Sequence, residues 1–130
     1  MEAERRNRLL RVVLAIKVVV TLAGWGLPAL IGPPALFSVF GIPFPEDPTF
    51  VRLFGAVVTA LALAYWYAWK DPVQNAAIIK FAVLDNGLAT VTIVTVALTT
   101  GIASWFFWVS CGLTAFFCVA FLALMPSRSR

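Results

Sequence analysis

Four apolar runs, each long enough to cross a lipid bilayer as a helix, dominate this sequence and leave it one architecture. A spanning helix needs roughly 20 mostly apolar residues, at about 1.5 Å each, to cover about 30 Å of hydrocarbon. The first run covers 9–31, with Leu9 or Val12 as its start, and Gly32-Pro33-Pro34 stops it because tandem prolines cannot continue helical hydrogen bonding. The second covers 51–69 and ends at Lys70-Asp71-Pro72, the third covers 76–100, and the fourth covers 104–125 before Pro126. Backbone polar groups in lipid must be satisfied within the segment, which selects helices over open strands. The expected fold is all-α: an integral membrane four-helix bundle, residues 1–130 forming one transmembrane domain, with an outer loop over 32–50.

Composition narrows the function classes. Hydrophobic residues make up 62% and charged residues 12%, too little polar surface for a soluble enzyme. Histidine is absent, which removes His-ligated haem, His-containing zinc sites and Ser-His or Cys-His nucleophile pairs. Cys111 and Cys118 lie seven residues apart on the fourth run, about 10 Å by helical rise, too far to bridge each other, and there is no Cys-x-x-Cys. No catalytic residue, metal site or resident cofactor is expected.

The net charge of +4 reads as topology. Arg5, Arg6, Arg8 and Arg11 precede the first run, Lys70 and Lys80 flank the second connection, and Arg128 and Arg130 follow the fourth run, against Arg52 on the other side. The positive-inside rule then puts both termini and the 70–80 turn in the cytoplasm of a multi-pass protein of the plasma (inner) membrane. The lipid bilayer is the expected partner, with the arginines at anionic headgroups, and no nucleic acid. Lys17 interrupts the first run and apolar residues continue beyond any cleavage point, so this run is expected to stay as an anchor.

Two ionisable residues fall inside the runs, Lys17 and Asp85, about 12 and 13 Å from Leu9 and Ala76 by helical rise. Charges at such depth pair, face the bundle interior or snorkel. Three readings stay open: an ion pair across the bundle helped by Asn86, snorkelling to the headgroups, or a proton or ligand site. Helical spacing aligns Lys17 with Thr21, Gly24 and Pro28, and Asp85 with Ala89, Thr92, Val96 and Thr99, as inward stripes. Arg52 is expected to hold Glu46 or Asp47 and tie the loop down, with an anionic ligand or snorkelling as alternatives. Tyr65, Trp66, Tyr67 and Trp69, with Trp25, Trp105 and Trp108, read as interfacial belts, Trp25 and Trp66 doubling as candidate ligand-stacking rings. Ala35–Phe40 forms a short apolar piece suited to a helix that covers the bundle or acts as a lid. Ala56, Ala60, Ala64 and Ala68 make a small-residue stripe that admits another helix, including one from a membrane partner or a second copy.

Phe40-Gly41-Ile42-Pro43, Arg52-Leu53-Phe54-Gly55-Ala56, Asp71-Pro72 and Asp85-Asn86 together resemble the DoxX-like group of four-span bacterial membrane proteins. That resemblance implies a four-helix bundle and, for some relatives, association with quinone-linked redox enzymes. Small multidrug transporters also have four short spans but place a glutamate in the first, where this chain has Lys17. The expected function is that of an accessory or scaffold subunit, or a binder of a lipophilic ligand such as a lipid or quinone. The alternative is a small transporter or intramembrane enzyme using Asp85, Lys17 and Arg52.

Overall fold

A computed structural model describes residues 1–101 and 104–126, and every described element is helical. Arg128 and Arg130, which the charge argument used, lie outside the described residues. Four helical stretches, Glu2–Ile31, Thr49–Lys70, Ala76–Thr100 and Trp105–Leu124, are long and apolar enough to cross a membrane.

The first stretch is compound: α1 (Glu2–Val20), a π-helical segment (Thr21–Gly26) and α2 (Leu27–Ile31). Helix begins well before the apolar run because residues 2–8 are good helix formers, and Glu2 and Glu4 in the first turn suit the positive end of the helix dipole. The widening upstream of Pro28 has a steric cause. Proline lacks an N–H and its ring crowds the carbonyl four residues back, and here the Leu27 N–H reaches instead to the Leu22 carbonyl, five residues back.

After Gly32 and Pro33 the short helix α3 (Pro34–Val39) starts with proline at its first position, where no N–H is needed. The next helix, α4 (Thr49–Lys70), is preceded by Asp47, whose Oδ1 accepts from the Thr49 hydroxyl (2.6 Å) and from its N–H (2.9 Å). These bonds, the hydroxyl first, hold the Asp47 carboxyl below the usual carboxylate range. A tight turn leads to α5 (Ala76–Thr100), closed by Gly101 at φ 71°, a left-handed position that glycine takes without strain. The last helix is α6 (Trp105–Leu124).

The packed core sits at one end. Leu10, Leu14, Tyr65, Ala68, Ile79, Ala82, Phe117 and Phe121 are buried together there, and Arg11 donates to the Lys70 carbonyl (3.1 Å), bringing the amino-terminal arginines beside the 71–75 turn. We call this the basic end, and the end carrying α3 the loop end. Toward the loop end, α5 stays packed on α6, and α4 stays on the π segment and α2, while α4 and α5 meet only sparsely.

Two expectations change here. Tyr65 is fully buried, not part of an interfacial belt, whereas Trp66, Tyr67 and Trp69 are exposed. The face of α4 that packs inward carries Gly55, Ala62, Tyr65 and Ala68, so Ala56 and Ala60 point away from the bundle and Ala64 is half-buried. Gly55 is what permits close approach: a Cβ there would overlap the backbone of Ala29 and Leu30.

Candidate functional site

Because α4 and α5 diverge, a cavity of about 470 Å³ lies between them, walled on the other side by the π segment and α6. Its walls are apolar: Val58 and Leu61 on α4, Ala89 and Ile93 on α5, Trp25 and Pro28 on the first span, Phe106 and Phe107 on α6. Its ionisable groups sit toward the basic end, where Lys17 and Asp85 line it with Thr21 and Asn86, while the hydroxyls of Thr92, Ser110 and Thr114 are spread farther along the wall. An apolar chamber with a few convergent polar groups is the usual form of a small-molecule site.

The ammonium of Lys17, a residue 3% exposed, donates to Asn86 Oδ1 at 2.7 Å. It also lies 4.7, 5.1 and 5.4 Å from the ring centres of Phe117, Trp25 and Tyr65, so its charge is held by ring faces as well as by an amide. Asn86 is locked in turn by its Nδ2 donating to the Ala82 carbonyl (2.7 Å). Asp85 does not reach salt-bridge contact with Lys17; its Oδ2 accepts from the Tyr65 hydroxyl at 3.0 Å. Lys17 is thus buried on Asn86 and does not snorkel, and in place of the ion pair, one of the three readings left open, there are two adjacent charge-assisted bonds, Lys17 to Asn86 and Tyr65 to Asp85. Thr21, 1% exposed, has a buried Oγ1 with no partner among the described residues.

Trp25 lines the cavity with its indole N–H fixed on Ser110 Oγ (2.9 Å), tying the first span to α6. Trp66 does not line it: its ring is exposed and lies under the Lys70 ammonium, 3.9 Å from the ring centre. Thr92 contributes to the wall, but Val96 and Thr99, placed in the same inward stripe by spacing, are exposed beyond the cavity.

At the loop end, Phe37, Phe40 and Ile42 close the chamber together with Phe106. The α3 segment is held down by Ser104 Oγ donating to the Phe40 carbonyl (2.6 Å), by Trp105 Nε1 donating to the Val39 carbonyl (3.1 Å), and by Phe40 stacked on Phe106 at 4.5 Å. Arg52 serves this end differently from the expectation. Its guanidinium donates to the Ala29 (3.1 Å) and Gly32 (2.9 Å) carbonyls, closing the last turn of α2, while Asp47 is engaged with Thr49 and Glu46 is exposed. Helix-end carbonyls lack intrahelical partners and hold a forked cation well. Arg52→Gln is expected to destabilise the protein by about 2 kcal/mol in thermal melts, with Arg52→Lys recovering only part of the loss because two acceptors need a fork.

Reading by residue type missed Tyr65, Phe117 and Ser110. Tyr65 carries a signal in retrospect: Ala62 and Ala68 flank it at spacings of three, marking a packed face. Nothing in the local sequence sets Phe117 apart from the other phenylalanines of α6. Comparison with known protein families, curated proteins and solved structures finds no match to this chain.

Proposed function

We propose that this chain is a membrane-embedded binder of a lipophilic, amphipathic ligand, held with its polar end at Lys17, Thr21 and Asn86 and its apolar part along the chamber between α4 and α5. The observation that carries this reading is the combination of an apolar cavity of about 470 Å³ with two ionisable side chains, Lys17 and Asp85, gathered at one end of it. An enzyme or transporter built on Lys17, Asp85 and Arg52 is less well supported, because Arg52 caps α2 and does not line the chamber. The accessory-subunit reading is compatible with ligand binding, and the exposed Ala56 and Ala60 offer a surface for a partner helix. A DoxX-like layout belongs to the same proposal.

Gly24 supplies the test, since a Cβ at this cavity-lining position meets nothing within 4 Å. Gly24→Leu fills the chamber beside its polar end while leaving Lys17, Thr21, Asp85 and Asn86 unchanged. The purified wild type, in mild detergent, is expected to retain a near-stoichiometric lipophilic molecule detectable by mass spectrometry of an organic extract, and Gly24→Leu to lose most of it. Equal retention by a folded Gly24→Leu protein would overturn the proposal.

The orientation follows from charge: the basic end lies in the cytoplasm and α3 on the outer face of a bacterial inner membrane. With Cys111 and Cys118 replaced by alanine, Ser38→Cys, exposed on α3, is expected to react with an impermeant maleimide added to intact cells. Reaction only after membrane permeabilisation would reverse the orientation.

A further inference from the structure

We infer that the ligand is a single-tailed amphiphile with an uncharged head that both accepts and donates hydrogen bonds, such as an alcohol or a glycerol monoester; this rests on the binding reading above. Several polar atoms of the chamber are already engaged within the protein. Asn86 accepts from Lys17 through its oxygen and donates one of its two amide N–H groups to Ala82. Ser110 is taken by Trp25, and the Thr114 and Thr90 hydroxyls take each other at 2.8 Å. Beyond the Ser110 hydroxyl proton and the second Asn86 N–H, three capacities remain at the charged end. Lys17 has three N–H donors and, among the described residues, one hydrogen-bond acceptor. Thr21 Oγ1 is buried with no partner among the described residues, a rare condition for a polar atom. Asp85 receives one bond, from Tyr65, and its carboxylate lines the chamber.

A ligand oxygen satisfies Lys17 and Thr21, and a ligand hydroxyl satisfies Asp85. Formal charge selects further. An anionic head would meet Asp85 in the same chamber, and a cationic head would meet Lys17, whereas the two side chains together are neutral. Desolvated like charges are strongly disfavoured, so the complementary head carries dipoles and no net charge. Volume sets the tail. At about 30 Å³ for a water-sized group, 470 Å³ holds about 16 such groups. That is the scale of one medium-length chain with a small head, within the range of about 300–1,000 Å³ usual for small-molecule sites.

The test uses the full chain in phosphatidylcholine nanodiscs and four probes: glycerol monolaurate, dodecanoate, dodecylammonium and dioleoylphosphatidylglycerol. Glycerol monolaurate is expected to bind at least about tenfold more tightly than either charged single-chain probe, with no saturable binding of the two-chain lipid. Thr21→Val is expected to weaken monolaurate about tenfold while Thr21→Ser retains it. Asp85→Asn is expected to raise dodecanoate affinity, because it removes the opposing carboxylate. Dodecanoate or dodecylammonium binding as tightly as monolaurate would overturn the assignment of the head while leaving a binding chamber. Unchanged monolaurate affinity in Thr21→Val would do the same, since Thr21 would then hold only water. Binding of none of the single-tailed probes would overturn both this assignment and the binding reading.

Discussion

Lys17→Leu is expected to destabilise the protein by about 3 kcal/mol, although the substitution removes a charge from an apolar helix. A snorkelling lysine would give the opposite sign, because leucine is better solvated by hydrocarbon. The loss arises at Asn86, which is fully buried and whose Oδ1 would be left without its donor. A second contribution is the cation removed from among Phe117, Trp25 and Tyr65. Asn86→Leu is expected to cost a similar amount, since it strands the ammonium. The double variant Lys17→Leu/Asn86→Leu is expected to lose markedly less than the sum of the singles, because neither leaves an orphan. Asp85→Asn is expected to have a smaller effect, about 1 kcal/mol, since Tyr65 can still donate to an amide oxygen. Unfolding of the four variants in one detergent decides the matter: strictly additive losses for Lys17 and Asn86 would mean that the bond between them contributes nothing.

The second large effect is expected at Gly55, where a single methyl group meets backbone. Built there, a Cβ overlaps the Leu30 nitrogen and the Ala29 carbonyl carbon, atoms that cannot rotate aside as a side chain can. Gly55→Ala must push α4 away from α2, and with it the Arg52 fork that closes the Ala29 and Gly32 carbonyls. About 3 kcal/mol or more is expected to be lost, at the upper end of overpacking effects. Gly24→Ala is the matched control. The same change made in open space is expected to be neutral or to stabilise by about 0.5 kcal/mol, through the lower helix-forming tendency of glycine. Thermal unfolding of both variants separates steric exclusion at Gly55 from a general effect of glycine replacement; similar melting temperatures would remove the close-approach argument.

The helices were legible because lipid-length apolar runs broken by Gly32-Pro33-Pro34, Asp71-Pro72 and Pro126 have few alternatives. Lys17, Thr21, Asn86 and Asp85 were legible as a group because polar residues are conspicuous in such runs. Their pairing was not. Depth alone put Lys17 level with Asp85, but which of Asp85 and the adjacent Asn86 faces Lys17 depends on the rotation of α5 about its own axis, one residue shifting direction by about 100°. The partner of Arg52 was hidden for a different reason: residue type suggests an acid, and the groups it meets are backbone carbonyls, which every residue has. Spacing of four did not tell which helix the Ala56 stripe meets, because it is common to two neighbouring faces of α4, and within the bundle the face with Gly55 and Ala62 is the packed one.

The uneven distribution of packing gives the molecule a graded compliance. At the basic end, Tyr65, Phe117 and Phe121 fix the helices against one another. At the loop end, the gap between α4 and α5 is spanned chiefly by α3 resting on α6 through Ser104 and Trp105. The two helices are thus arranged like the arms of tongs, joined near the 71–75 turn and parted toward the loop end. On the binding reading proposed above, filling the chamber is expected to slow amide exchange along the outer half of α5 while leaving the basic end unchanged.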